Sequence, residues 1–331
     1  MNIENNVENR EVILSVENLS VEYSSKDIGT AKAVNGMSFS IKKGTTLGLV
    51  GETGAGKTTT AYSIMGIVPK PQGKVVCGRI EFEGKDLLKL SERDMRKIRG
   101  DKISMIFQDP MTALNPIDTV GKQIEEVLKL HDELSHEDAI KKAGELLEMV
   151  GIPAERYYEY PHQFSGGMKQ RVVIAIALAC QPEFLIADEP TTALDVTIQS
   201  QILSMINELK RTLGTSMLLI THDLGVVAEM CDEVCVVYAG EIVERGSLRH
   251  IYKNMAHPYT IGLFDSLPNV MDSSQKLKPI PGMMPDPTDL PGGCKFHPRC
   301  QFCTEKCRQE EPELFELEDG HYVRCFCPQK R

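Results

Sequence analysis

Residues 51–58 read GETGAGKT, directly after the apolar run LGLV at 47–50, and lead into TTTAYSIMG, which has helical character. This matches the pattern GxxxxGK[ST] in the order strand, loop, helix, which constrains the fold to a phosphate-binding α/β unit. Gly51, Gly54 and Gly56 let backbone N–H groups turn inward toward phosphate oxygens, and the following helix points its positive end at them. In such a loop Lys57 reaches the β- and γ-phosphates and the Thr58 hydroxyl ligates Mg²⁺. The ligand implied is a magnesium nucleoside triphosphate.

The rest of the chain carries the alternation this unit needs. Residues 12–23 and 37–50 read as strands broken by Asn, Gly and Lys turns, and strand-like runs return at FLIAD, MLLITHD and VCVVYAG. An amphipathic helix around Ile198 to Leu209 separates the first two of those runs. Helical periodicity from about 119 to 150, with Ile124, Val127, Leu128, Ala139, Leu146, Leu147 and Val150 on apolar faces, marks a helical insertion. The expected fold class is α/β with a mostly parallel sheet. Past residue 250 nine of the eighteen prolines fall between Pro258 and Pro312, predicting a mostly irregular, surface-hugging tail.

Composition excludes several classes. A formal charge of -10 disfavours nucleic acid as a partner. The longest apolar run, Val172 to Cys180, is about half of the roughly 20 residues a membrane span needs. The N-terminal MNIENNVENR lacks the cationic and apolar regions of a secretory signal, so a cytosolic chain is expected. Of the ten cysteines, Cys77, Cys180, Cys231 and Cys235 lie in apolar surroundings and read as buried thiols, while the other six crowd between Cys294 and Cys327.

FLIADEP at 184–190 is an apolar strand delivering two carboxylates to its C-terminal end, where ligands bind in open α/β sheets. Asp188 would hold Mg²⁺ directly or through water, and Glu189 would be the general base for the attacking water.

QFSGGMKQR at 163–171, upstream of those carboxylates, resembles the signature sequence of ABC-type ATPases. Gly166 and Gly167 allow close backbone approach, and a helix beginning near Met168 presents its N-terminus to an anion. The resemblance implies a head-to-tail dimer with two ATPs at its interface, Ser165 touching the nucleotide held by the opposite subunit. Phe164 and Met168 replace the Leu and Gln of the commonest family form, and Met there is familiar in the peptide-importer branch. Further positions follow in order. Gln108 in MIFQDP resembles the loop glutamine that contacts Mg²⁺ or the attacking water, Asp195 in TTALD would cross the dimer interface, and His222 in LLITHD would contact the γ-phosphate. The resemblance also implies ATP contacts at Thr53, Ala55 and Thr59 in the loop. Tyr23 would stack on adenine, an ordinary half-buried strand tyrosine being the competing reading. Lys57, Gln108, Glu189 and His222 form the expected catalytic set.

Six cysteines within 34 residues of a cytosolic chain point to metal rather than disulfides. HPYT at 257–260, IPG at 280–282 and LPGGCKFHPRC at 290–300 resemble the C-terminal region of oligopeptide and dipeptide importer ATPases. That likeness implies a [4Fe-4S] cluster on Cys294, Cys300, Cys307 and Cys325. Cys303 and Cys327 are extra, and the CxxC at 300–303 keeps zinc open as the alternative. A staple holding the extension in shape is the expected role, a redox or iron sensor the competing one.

The expectation is a P-loop ABC ATPase core over 1–250, with an antiparallel β subdomain and a helical subdomain at about 109–172, and an irregular Cys-rich extension over 251–331. The implied function is ATP-driven import of dipeptides or oligopeptides by a peripheral subunit at the cytoplasmic face. Its implied partners are a second, related ATPase subunit, two membrane permeases and an extracytoplasmic peptide-binding protein. Import of a metal chelate or glycan, or a soluble non-transport ABC ATPase, are the alternatives.

Overall fold

A computed structural model describes residues 10–26, 29–131, 134–192, 194–266 and 278–329. The N-terminal stretch inspected for a signal lies, but for Arg10, outside those residues. The chain divides into two compact units.

One unit comprises Met1–Ile13, Ile41–Thr46 and Leu87–Ile220. Its centre is three parallel strands, with Phe184–Asp188 between Ile103–Ile106 and Ser216–Thr221. Every residue of the three is buried, which is why they read as continuous apolar runs without alternation. The expected helical insertion is present as two helices, Val120–His131 and His136–Met149. Ser135 separates them, its hydroxyl accepting from the Asp138 N–H at 3.1 Å as an N-cap. Buried Glu125 then ties the pair together, accepting from Tyr157 Oη at 2.5 Å and lying 2.5 Å from His136 Nδ1, with Lys129 also against it. Burial alone would raise this carboxyl, but those hydrogen bonds hold it down at about 2. The helix expected around Ile198 to Leu209 runs Val196–Leu213 and stops at Gly214 in the left-handed region.

The other unit comprises Leu14–Ser40, Leu47–Asp86 and Thr221–Arg331. An antiparallel sheet places Val12–Ser25 between Gly29–Lys42 and Gly73–Phe82, with Lys85–Asp86 at its edge. Gly73–Phe82 escapes the sequence pattern because a bulge opposite Glu17 to Ser20 shifts its register. Cys77, expected to be buried, is exposed on that bulged strand. Strand Thr46–Val50, fully buried, pairs in parallel with Glu233–Tyr238. Ala239 and Gly240, both with positive φ, close a two-residue hairpin to Glu241–Ser247.

Among the described residues the tail is mostly irregular, as expected, with a few short elements set into it. It contributes helices Pro258–Asp265 and Glu305–Gln309, and strand His321–Val323 joins Glu241–Ser247 on one side and Phe315–Glu318 on the other. A polar pair made this strand illegible: fully buried His321 donates through Nε2 to fully buried Glu244 at 2.8 Å. The Glu244 carboxylate also accepts from the Ala256 and His257 N–H groups at 2.7 and 2.9 Å, so this buried charge is satisfied by the chain it organises. Among the described residues no helix is long and apolar enough to cross a membrane.

Candidate functional site

Strand Thr46–Val50 ends at Gly51, and helix Lys57–Met65 begins at the end of the glycine loop, as the motif requires. Two of the loop glycines are dictated by close approach. A Cβ on Gly51 would lie 2.2 Å from the Val237 carbonyl oxygen, and one on Gly56 would lie 2.3 Å from that of Ala33. Lys57 is buried and its ammonium folds back over the loop, donating to the Gly51 and Glu52 carbonyls at 2.7 and 2.9 Å. The side chain that is expected to meet phosphates is thus tied to the loop's own carbonyls. Thr58 and Thr59 are half-buried in the first helical turn, Ala55 is buried, and Thr53 and Gly54 are exposed.

Asp188 ends its strand almost completely buried, at 1% exposure, and Glu189 follows at φ 46, a left-handed conformation that turns the chain. The Glu189 N–H donates to the Ile220 carbonyl at 2.8 Å and fixes this turn against the neighbouring strand. Gln108 Nε2 and Thr192 Oγ1 both donate to Glu189 Oε2, each at 2.9 Å. Gln108, Glu189 and Asp188 therefore share one unit, while Lys57, Thr58, Tyr23 and His222 belong to the other. His222 is exposed just past strand Ser216–Thr221. Its neighbour Asp223 caps helix Leu224–Met230 by accepting from the Gly225 N–H at 2.8 Å.

The signature helix runs Gly166–Leu178, two residues earlier than expected. Ser165 is its N-cap, the hydroxyl accepting from the Met168 N–H at 3.4 Å, and both Ser165 and Gly166 are exposed. Gly167 is required by packing, since a Cβ there would lie 2.7 Å from Ile198 Cγ2. Asp195 caps helix Val196–Leu213, accepting from the Ile198 N–H at 3.0 Å. Tyr23 is half-buried in the antiparallel sheet opposite Gly73, where a Cβ would lie 2.7 Å from its ring.

Two family models match this sequence: ABC transporter over residues 34–192, and the oligopeptide/dipeptide transporter C-terminal region over 243–307. The dipeptide transport ATP-binding protein DppD of Bacillus subtilis is 50% identical over 97% of this chain and 96% of its own length. The oligopeptide transport ATP-binding protein OppD of Escherichia coli is 46% identical over 96% of this chain and 94% of its own. The chain belongs to the ATP-binding proteins of the oligopeptide/dipeptide ABC transporter family. Among solved structures the ATP-binding cassette MJ0796, a dimer bound to ADP and Pi, superposes with a TM-score of 0.64 at 28% identity. It covers 71% of this chain and 99% of its own. The fold is that of an ABC ATPase cassette, and the family's activity is ATP hydrolysis.

The cassette's two departures from the commonest signature both touch one arginine. The Arg156 guanidinium lies 4.2 Å from the centre of the Phe164 ring, and its Nη1 lies 3.3 Å from Met168 Sδ. Arg156 is itself held by Glu159, with Nη2 2.6 Å from Oε2. Phe164 and Met168 thus form a seat for a cation that Leu and Gln would present differently.

In the C-terminal region Cys294, Cys300, Cys307 and Cys325 line one small cavity together with Cys327 and His257. Cys303 does not line it, and its thiol donates to the Thr304 carbonyl at 3.4 Å. The cavity has space for about one water, about 10 Å³, walled by Phe296 and Phe302. No group of three or more His, Cys, Asp or Glu among the described residues has the spacing to hold a metal ion. Burial pushes the Cys300 thiol up to about 11 and that of Cys325 up to about 12, and raises Cys294.

Sequence reasoning passed over two residues that the fold joins to Glu52 of the glycine loop. Arg299 Nη1 donates to Glu52 Oε2 at 2.9 Å and Nη2 to Oε1 at 3.2 Å, a bidentate pair. The Glu52 N–H donates to the Tyr259 hydroxyl at 2.9 Å. HPYT and HPRC were visible as motifs, but a partner 247 residues away was not.

Proposed function

We propose that this ATPase drives import of dipeptides or oligopeptides as a peripheral subunit at the cytoplasmic face of the membrane. The single observation that carries the cargo class is the pairing of an ABC core with the oligopeptide/dipeptide C-terminal region in one chain. The relatives named above are transport proteins for dipeptides and oligopeptides, and their likeness runs through nearly the whole chain. Two membrane permeases, an extracytoplasmic peptide-binding protein and a second, related ATPase subunit complete the proposed assembly. Import of another cargo, such as a metal chelate, uses the same ATPase geometry.

In the proposed reaction Lys57 leaves the Gly51 and Glu52 carbonyls to meet the β- and γ-phosphates of ATP, and the loop N–H groups close around them. Thr58 and Asp188 would hold Mg²⁺, which would supply positive charge against that building on the phosphoryl oxygens. Glu189 orients and deprotonates the attacking water, Gln108 accompanies it, and His222 contacts the γ-phosphate. Ser165, Gly166 and Gly167 present the signature helix to the nucleotide of the partner cassette, and Asp195 lies at the same interface. Tyr23 stacks on adenine. The domain division proposed is a nucleotide-binding domain to about residue 250, with its helical subdomain at about 109–172, and an extension beyond.

Cys294, Cys300, Cys307 and Cys325 are proposed to hold a [4Fe-4S] cluster. The four line one aromatic-walled cavity with room for about one water, so the cluster is supported by the likeness of the C-terminal region and would need that lining to open, while Cys303 lies outside it. The proposed role is a staple for the extension.

Uptake of labelled di-, tri- and pentapeptides tests the cargo. Cells lacking this gene should lose uptake, wild type should restore it, and Lys57→Ala should not. Equal import by all three strains, with redundant importers deleted, would contradict a peptide cargo.

A further inference from the structure

We propose that Arg299 and Tyr259, both in the C-terminal extension, are positioning residues of the phosphate loop that set the affinity of the cassette for MgATP. The inference rests on the family's ATPase activity and on neither the peptide cargo nor the cluster.

Glu52 is held from three sides. Its carboxylate takes the Arg299 fork, its N–H takes the Tyr259 hydroxyl, and its carbonyl takes the Lys57 ammonium at 2.9 Å. Two of those three holds come from the extension, and the third comes from the lysine that must swing to the phosphates. When Lys57 leaves, the two holds from the extension remain, beside the Ala55 N–H that donates to the Glu52 carbonyl within the loop at 3.2 Å.

The two holds are built as fixed structure. Tyr259 is fully buried, and the Arg299 side chain is 7% exposed. Arg299 also donates through Nε to the Pro281 carbonyl at 2.9 Å and lies over the Tyr238 ring, its Cζ 5.8 Å from the centroid. The Tyr259 N–H donates to His257 Nδ1 at 3.1 Å, and the His257 N–H donates to Glu244 at 2.9 Å. A guanidinium already committed at every edge has little entropy left to lose, so its fork holds the loop at low cost. A loop so fixed presents its N–H groups to phosphate without reordering, which is worth affinity. Arg299 directly precedes Cys300, so the fork on Glu52 lies one peptide bond from the Cys-lined cavity.

The test uses the full-length chain, with equilibrium binding of a fluorescent ATP analogue in Mg²⁺ and steady-state kcat and KM for ATP. Arg299→Ala and Glu52→Ala should each weaken analogue binding and raise KM about tenfold, with kcat within about threefold of wild type. Arg299→Lys, which keeps the charge and loses the fork, should fall between, at about threefold. The double variant should be no worse than the worse single one, because both remove one interaction. Additive effects, or a Glu52→Ala KM within about twofold of wild type, would overturn the proposal. Should Arg299→Ala fail to fold, Glu52→Ala decides alone, since it breaks the pair from the loop side and leaves the extension intact. Glu189→Gln is run in parallel: normal turnover in it counts against the assigned general base and leaves the loop contacts to be judged by binding.

Discussion

Gln108 and Thr192 converge on a single oxygen of Glu189, each donating across 2.9 Å, so the proposed general base is oriented before any nucleotide arrives. Removing one donor leaves the other. Gln108→Ala should therefore lower kcat by about tenfold, the worth of one hydrogen bond to a charged group, with nucleotide affinity nearly intact. Thr192→Val should cost less than tenfold, and single-turnover hydrolysis measures both.

The loop glycines differ in what they tolerate. Gly51→Ala and Gly56→Ala drive a Cβ onto a backbone oxygen at 2.2 and 2.3 Å and should destabilise the protein by more than about 2 kcal/mol. Gly54 has φ 84 but open space around its Cβ, so Gly54→Ala should cost about 1 kcal/mol of strain. Denaturant unfolding of the three variants checks the order.

The seat beneath the signature makes a third case. Arg156→Ala removes the cation from Phe164 and Met168 and should cost about 1 kcal/mol of stability and lower kcat. Met168→Gln still offers Arg156 an acceptor and should keep turnover within about threefold of wild type. Thermal melts and ATPase assays on both variants are sufficient.

Glu125 predicts a pH dependence with a definite sign. Its carboxyl is held at about 2 in the fold, below its ordinary value of 4.5, so folding favours the charged form. That contribution is complete above about pH 4.5 and is lost as pH falls toward about 2. Glu125→Gln should thus be less stable than wild type at neutral pH by about 2 kcal/mol, and the gap should close across that window. A gap constant from pH 7 to 3 would show that the carboxylate is not held this way.

What the sequence disclosed was local or periodic. The strand, loop and helix around Gly51 to Thr58 are consecutive, and the left-handed or crowded positions of the loop demand glycine whatever surrounds them. The buried parallel strands were legible as unbroken apolar runs, and the helical insertion as a 3.6-residue period. Gly73–Phe82 was not, because its bulge breaks the alternation, nor was His321–Val323, whose buried histidine is explained only by Glu244. The roles of Ser165 and Asp195 as caps of their own helices were equally local, yet the family likeness drew attention to the interface instead. Arg299 and Glu52 could not be joined from sequence at all, since nothing short-range links them.

The Cys-lined cavity makes a chemical prediction. Chain purified without oxygen should carry iron and sulfide in a 1:1 ratio at about four each per chain, the composition of the proposed cluster. Cys303→Ser should leave that content unchanged, whereas Cys300→Ser or Cys325→Ser should remove it. Stoichiometric zinc without sulfide would contradict the cluster.

The central claim is that this ATPase hydrolyses ATP with Glu189 as its proposed general base. Its most direct test is ATP turnover by the assembled transporter carrying wild type or Glu189→Gln, with MgATP binding measured on the same samples. The account predicts retained binding and a loss of turnover of at least about 100-fold, as expected for a missing general base. Unchanged turnover in Glu189→Gln would contradict it.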